Sequence, residues 1–423
     1  MKKYLENLSS EIKEIIAVCI KLARAQDVKV YLVGGFVRDL ILGVPNFDLD
    51  IVIEGDGIKF AEALALRLRA GLVRHRRFGT ATVILGHNLK IDLASAREEC
   101  YPEPACLPSV KNGSVKDDLK RRDFSINAMA ISLNKTDYGR LVDFFHGRDD
   151  LAEKKVRILH NLSFIDDPTR ILRAIRFSVR YCFRLESQTA KYLKKAVKLK
   201  MLQRVEPQRL RDELILILKE DNPEKQIRRV QQLAGLSFIH PRLKLVKDNS
   251  QLLKETQQQA AWFKNNFPHH RHLDAWLMYL AALLDNLSLR DTEQVLNFFV
   301  FRKGEEKRVV SFKKISKDFV RKLSGKRVLP SVTFHLLDPL SYEAILLIAA
   351  RHKNKYLKEQ VKEFFRVHNS VRLLVTGHDL AALGLKPGPH YQKIFLRLFN
   401  AKLDGKVHTK EEELGYIRKT VKL

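Results

Sequence analysis

Between Val28 and Ser95 the apolar residues alternate with polar ones in short runs. "VKVYLV" (28–33), "FDLDIVIEG" (47–55), "TATVILG" (80–86) and "LKIDLAS" (89–95) are rich in β-branched residues at a period of two and predict strands. Between them "IKFAEALALRLRA" (58–70) repeats its apolar positions at three and four, which predicts a helix. Up to about residue 145 the pattern predicts an α/β or α+β layer domain. Beyond residue 150 the strand period almost vanishes. "PTRILRAIRFSVRY" (168–181), "QRLRDELILILK" (208–219), "LDAWLMYLAALLDNL" (273–287) and "SYEAILLIAARHK" (341–353) all keep helical spacing, so the remainder reads as mostly helical. Gly, Pro and capping residues break it at 160–168, 237–243, 323–331 and 383–389.

With 423 residues the chain exceeds what one core usually holds, and two to four structural units are expected. The N-terminus "MKKYLENLSSEIKEIIAVCIKLARAQ" interrupts its apolar positions with charges at helical spacing, and no run of eighteen apolar residues follows. A soluble, intracellular, cytoplasmic protein with no membrane span is expected. Cys19, Cys100, Cys106 and Cys182 form no C-x-x-C pair, which argues against a disulfide framework or zinc site. The charge changes the picture more. Lys and Arg number 77 against 49 Asp and Glu, a net +28 that favours a polyanionic partner, nucleic acid above all. A membrane surface is the rival, but the basic residues are spread along the chain rather than gathered on one amphipathic helix.

Candidate chemistry gathers in "YLVGGFVRDLILGVPNFDLDIVIEGDG" (31–57). On a strand, Asp48 and Asp50 share one face while Leu49 and Ile51 turn into the core. Two such carboxylates suit a hard divalent cation such as Mg2+, whose shell is completed by phosphates and water. The alternative is a solvated strand face. Gly34 and Gly35 lie between a strand and a helix predicted from Phe36 to Leu42, where backbone N–H groups could cradle an anion, and Arg38 adds a cation. The spacing is neither G-x-G-x-x-G nor a P-loop. Asp92, on a later strand, could approach the pair or be an ordinary strand-end acid. In "DLKRRDFSINAMA" (118–130), Arg121 and Arg122 could serve phosphates and Asp123 a sugar hydroxyl, or all three could be helix-start solubilising charges.

Taken together, "VGGFVRDLILG...FDLDIVIEG", "KRRDFSINAMA", "VDFFHGRDDL", "DDPTRILRAIRF" and "RLRDELILIL" resemble, in order and rough spacing, the bacterial-type (class II) tRNA nucleotidyltransferases and related poly(A) polymerases. The resemblance covers residues 27–220, and "TGHDLAALGLKPGPHYQKIF" extends it more weakly. It implies an α+β fold: a polymerase-β-like nucleotidyltransferase head with a mixed sheet (1–145), then an all-α neck (146–235), body (236–365) and tRNA-binding tail (366–423). It also implies that Asp48 and Asp50 bind catalytic Mg2+, that Gly34, Gly35 and Arg38 lie by the triphosphate, and that Arg122, Asp123 and Asn127 contact nucleotide phosphate or ribose. The implied partners are the tRNA 3′ end, ATP and CTP. Nothing points to a protein partner.

Asp167 followed by Pro168 suits a helix N-cap with proline at the first helical position, and Arg170 lies three residues on. A carboxylate accepts and a guanidinium donates, matching the amino donor and ring-nitrogen acceptor of adenine and cytosine but not guanine or uracil. The resemblance likewise implies that this pair templates the base. The family pattern is usually Glu-Asp-x-x-Arg; here Asp166 holds the first place. Arg173 and Arg176 continue the positive face, although Arg176 could equally face solvent, and Arg209 and Glu213 are spaced for an intrahelical ion pair or substrate contact. The punctuated segment 97–116 reads as a loop resembling the element linked in this family to the switch from C to A addition. Parts of the chain look closest to the branch that includes enzymes adding only the terminal A. A poly(A) polymerase of the same fold and a catalytically silent RNA-binding protein are the alternatives. His269, His270 and His272 read as a solvated or RNA-contacting patch, and Trp262 and Trp276 as core.

Overall fold

The computed structural model describes residues 1–420 except 47, 77, 78, 87, 88 and 269–271. Its first strands are β1 (Lys29–Val33), β2 (Asp48–Glu54), β3 (Gly71–His75), β4 (Thr80–Ile84) and β5 (Lys90–Ser95). They are followed by β6 (Arg97–Cys100), β7 (Ser109–Asn112), β8 (Ala130–Ser132) and β9 (Leu141–Val142). Seven form one sheet in the order β3-β4-β5-β2-β1-β8-β9. All its neighbours are antiparallel except β2 and β5, which run parallel with Asp50 opposite Asp92.

Strand alternation fixes what each sheet face does. Leu49, Ile51 and Ile53 of β2 and Ile91 and Leu93 of β5 are fully buried, as are Phe60 and Leu64 of the helix Gly57–Leu68, which contacts these strands. On the opposite face Val52 joins Tyr31, Val33, Leu119 and Ala130 in a second cluster. Asp48 and Asp50, at the beginning of β2, share that face but lie outside the cluster. Val33 leads directly into the helix Gly34–Leu42, two residues earlier than its apolar pattern predicts, because Gly34 takes φ +69° and turns the chain without an intervening loop.

By internal contacts the chain forms two compact units, residues 1–217 with 229–238, and 218–228 with 239–423. The first holds the sheet and the arginine-rich helix Thr169–Arg180. That helix starts one residue beyond the expected proline start. Pro168 occupies the cap position, and Asp167 accepts from Thr169 N at 3.1 Å. The segment 97–116 is a loop only in part: β6 and β7 pair as a hairpin around the loop 101–108, and a capping box at Ser114 and Asp117 starts the helix Val115–Lys120.

The second unit is helical. Ala275–Leu283 and Tyr342–Arg351 are almost wholly buried, and Trp262, Phe263, Phe267, Tyr342 and Phe365 form an aromatic cluster. Trp276 is buried against Phe301, so both tryptophans pack. Lys313 Nζ donates to the carbonyls of Leu284, Asp285 and Leu287, satisfying acceptors just beyond a helix end. Val375, Leu380, Ile394 and Leu398 belong to a separate C-terminal core. Among the described residues no single helix is long and apolar enough to cross a membrane.

Gly57 begins its helix tight against β5. Its N–H donates to Ser95 Oγ at 2.9 Å, and a Cβ there would stand 2.5 Å from Ser95 N and 2.7 Å from the Ala94 carbonyl carbon. Because backbone atoms cannot rotate away, Gly57→Ala is expected to cost about 1–3 kcal/mol, read as a lower urea midpoint.

Candidate active site

Gly34 makes room for a convergence of charge. A Cβ on Gly34 would lie 2.5 Å from Arg122 Nη1 and 3.3 Å from Asp50 Oδ2; one on Gly35 would lie 3.5 Å from Arg38 Nη2. The bare Gly34 therefore admits the Arg122 guanidinium beside the Asp50 carboxylate, whereas a side-chain carbon at Gly35 would meet Arg38 only in ordinary contact.

Asp50 is half-buried while Asp48 and Asp92 are exposed. Burial pushes Asp50 up to about 6, Arg122 opposes the shift, Asp92 and Asp48 reinforce it by repulsion, and Arg38 opposes it more weakly. Asp92 is held by Thr82, whose hydroxyl donates to Oδ1 at 2.6 Å. Among the described residues no three His, Cys, Asp or Glu side chains gather closely enough to hold a metal unaided. The donor set at this turn consists of hard carboxylate oxygens.

Beside the carboxylates opens a cavity of about 430 Å3. Gly35, Arg38 and Asp50 line one part of it; Arg122, Asp123, Asn127, Asp167, Arg170 and Arg173 line others. Thus most of the residues singled out from sequence meet in one space, drawn from the glycine turn, the stretch after helix Val115–Lys120 and the arginine-rich helix. Gly34, Asp48 and Asp92 stand outside its lining, and so does Arg176. Arg176 is buried, against the solvent-facing alternative, because its guanidinium packs 4.8 Å from the Phe177 ring centroid and approaches Glu213 at 3.5 Å.

Many of these groups are committed to one another. Asp118, fully buried, accepts from Arg121 at 2.6 Å and from Arg122 at 3.0 Å. Its burial opposes ionisation, but Arg122 and Arg121 outweigh that and hold the carboxyl below its ordinary value. Asp123 Oδ1 accepts from Phe124 N at 2.8 Å and Asn127 Nδ2 at 2.9 Å, and Oδ2 accepts from Arg173 Nε at 2.9 Å and Nη2 at 2.6 Å. Although burial opposes ionisation, Arg173 and Asn127 bring Asp123 down to about 2. The expected contact of Asp123 with a sugar hydroxyl would have to displace one of these donors. Arg209 and Glu213 do not pair with each other: Arg209 donates to Asp167 Oδ1 at 2.8 Å, and Glu213 receives Arg173 at 3.1 Å.

Asp167 and Arg170 remain partly uncommitted. Asp167 Oδ1 also takes the Thr169 hydroxyl at 2.6 Å, whereas Oδ2 stands 3.9 Å from Arg170 Nε. Arg170 spends Nη1 on Ser163 Oγ at 2.8 Å and Nη2 on the Arg121 carbonyl at 2.7 Å. Asp166 approaches His160 at 3.8 Å. The lining further includes Glu99, Tyr101, Arg121 and Phe177. Glu99 accepts from Arg121 at 3.1 Å and from the Tyr101 hydroxyl at 3.2 Å, and burial pushes Tyr101 up to about 12. Their one sequence signal was the alternation Glu99, Tyr101 within "REECY", which carries no hydrophobic pattern.

The weaker sequence signals lie elsewhere. His269 and His270 fall outside the described residues, and His272 is exposed beside Asp274. In "GHDL", Asp379 caps its own helix at Thr376 and pairs with Lys410 at 2.7 Å.

The family model described as "Poly A polymerase head domain" matches residues 30–157, and that described as "Probable RNA and SrmB- binding site of polymerase A" matches 182–246. An A-adding tRNA nucleotidyltransferase of Geobacter sulfurreducens is 37% identical over 93% of this chain and 45% of that protein, so the chain spans less than half of that relative. An A-adding tRNA nucleotidyltransferase of Halalkalibacterium halodurans is 33% identical over 97% of this chain and 93% of that protein. Among solved structures, the Thermotoga maritima CCA-adding enzyme complexed with tRNA-CCA superposes with a TM-score of 0.74 at 34% identity, covering 100% of this chain and 98% of that one.

Asp50 gives the site a pH signature. Its folded-state pKa, about 6 against an ordinary 3.8, lies above the unfolded value, so its contribution to stability is greatest below 3.8 and is lost as pH rises through 6. Asp50→Asn removes that penalty. In metal-free buffer the variant's Tm is expected to exceed the parent's at pH 7, with the gap narrowing as pH falls to 5.

Proposed function

The chain belongs to the tRNA nucleotidyltransferase family, and from that premise we propose that it adds or repairs the 3′-terminal CCA of tRNA, or its terminal A alone, from CTP and ATP with release of pyrophosphate. The observation that carries the reading is the single cavity in which the Asp50 carboxylate, the glycine-turn arginines and the Asp167 and Arg170 pair all face one space.

In this reading Arg122 Nη1 and the N–H groups that Arg38 leaves free bind the triphosphate beside the Gly34–Gly35 turn. The family implies a divalent metal, and the repulsion among Asp48, Asp50 and Asp92 fits one held by Asp48 and Asp50, with substrate and water completing its shell. Mg2+ is the proposed ion; when bound it supplies the positive charge that activates a hydroxyl nucleophile and offsets the charge of departing pyrophosphate. Asp92, fixed by Thr82, adds negative charge beside the pair.

Base choice falls to Asp167 and Arg170. Asp167 Oδ2 keeps acceptor capacity, and Arg170 Nε, 3.9 Å away, keeps a donor. An acceptor beside a donor matches the edge shared by adenine and cytosine and mismatches guanine and uracil. Arg173 and Arg176 lend positive charge behind the pair, Arg173 through Asp123 and both through Glu213. Terminal-A addition is favoured by the two A-adding relatives. A poly(A) polymerase is the second reading, favoured by the head-domain match. As tRNA is the substrate, the activity belongs in the cytoplasm.

The test uses tRNAs ending before CCA, after C and after CC, each with CTP, ATP or both, and product length read at nucleotide resolution. Growth of the CC end alone, by one A, selects A addition; long tails on other RNAs select the polymerase. No growth from any end overturns the proposal, and Asp48→Ala is expected to abolish growth while tRNA binding persists. For base choice, Asp167→Ala is expected to lose about 1–3 kcal/mol of discrimination, roughly 5- to 150-fold in the ratio of kcat/KM for ATP over GTP.

A further inference from the structure

Asp39 does not line the cavity, yet its buried carboxylate is engaged on both oxygens. Oδ1 accepts from Arg38 Nε at 2.8 Å and from the Tyr181 hydroxyl at 3.1 Å. Oδ2 accepts from Arg38 Nη2 at 2.8 Å and from the Asn46 side-chain amide at 2.8 Å. The donors come from three places in the chain. Arg38 borders the cavity. Asn46 precedes β2, and its own Oδ1 accepts from Asp48 N at 2.9 Å. Tyr181 follows the arginine-rich helix, with its ring centroid 4.8 Å from the Arg38 guanidinium carbon.

Each contact removes a freedom. A guanidinium gripped in bidentate fashion cannot swivel about its stem, and here Arg38 Nη1 is also tied to Asn127 Oδ1 at 2.6 Å. Two N–H groups remain to face a ligand, in directions set by Asp39. The Asn46 amide donates to Asp39 and accepts from the first residue of the carboxylate strand. One buried acid therefore ties the cavity's arginine to the entry of β2.

We propose that Asp39 is a positioning residue that holds Arg38 and the Asp48–Asp50 strand in fixed relation, with Tyr181 keeping its carboxylate turned toward both. This rests on the nucleotidyl-transfer reading of the cavity. The two arms of the hub separate by experiment. Tyr181→Phe keeps the ring against Arg38 but takes a donor from Asp39; Asn46→Ala releases the strand entry and leaves the Arg38 grip.

ATP binding is measured by calorimetry without divalent cation, and KM and kcat by A incorporation on tRNA ending in CC, with a thermal melt of each variant. Tyr181→Phe is expected to raise both Kd and KM for ATP about 3- to 10-fold, the worth of one hydrogen bond, with kcat within about twofold. Asn46→Ala is expected to lower kcat about 10- to 100-fold with Kd unchanged, because small misplacement of reacting groups is costly. A purely structural role would lower Tm and the active fraction in both variants alike and leave KM and Kd alone. That outcome, or wild-type constants in both variants, overturns the proposal. A parent protein that binds ATP but transfers nothing instead overturns the functional reading, and the calorimetric comparison still decides whether Asp39 governs Arg38.

Discussion

Three carboxylates on one face of a sheet repel, and the rest of the site is arranged around that repulsion. Asp50 bears it most, being half-buried between Asp48 and Asp92. Arg122 and Arg38 answer it across a turn that Gly34 leaves open. Those arginines are in turn fixed by buried acids, Arg122 by Asp118 and Arg38 by Asp39. Positive charge is thus supplied at a chosen place rather than as a diffuse field, and the desolvation cost of each buried acid is offset by a paired guanidinium.

The same logic divides the arginines of the unit by task. Arg173 is engaged by Asp123 and Glu213 and Arg176 approaches Glu213, so they tie the arginine-rich helix to the stretch after Val115–Lys120 and to the helix Pro207–Leu218. Arg122, Arg38 and Arg170 each keep N–H groups that no described partner takes, and all three border the cavity. A net charge of +28 says that a polyanion is welcome, but this local division of labour says where its phosphates and bases can be gripped.

Much of this was legible in the chain itself. Strands β1, β2, β4 and β5 follow from their period of two, and Asp48 and Asp50 share a face because Leu49 and Ile51 are pulled into the core. Strand β3 and the β6–β7 hairpin were not legible, since their side chains are mostly exposed and show no sustained alternation of apolar and polar residues. For the same reason Glu99 and Tyr101 escaped notice. Arg209 and Glu213 misled because helical spacing describes neighbours on one helix, whereas their partners, Asp167 and Arg173, come from other elements. Asp123 could be found by sequence but not weighed, because its four donors become visible only once the chain is folded.

The parallel pairing of β2 with β5 has a kinetic consequence. It sets Asp50 opposite Asp92, yet a helix and the β3–β4 hairpin lie between them in the chain and must close as a loop before the two strands can meet. Loop-closure entropy makes such non-local pairing slower than hairpin formation. The register that opposes Asp50 to Asp92 therefore carries a loop-closure cost that the β3–β4 hairpin does not, and the burial of Leu49, Ile51, Ile91 and Leu93 has to outweigh both that cost and the repulsion of the acids.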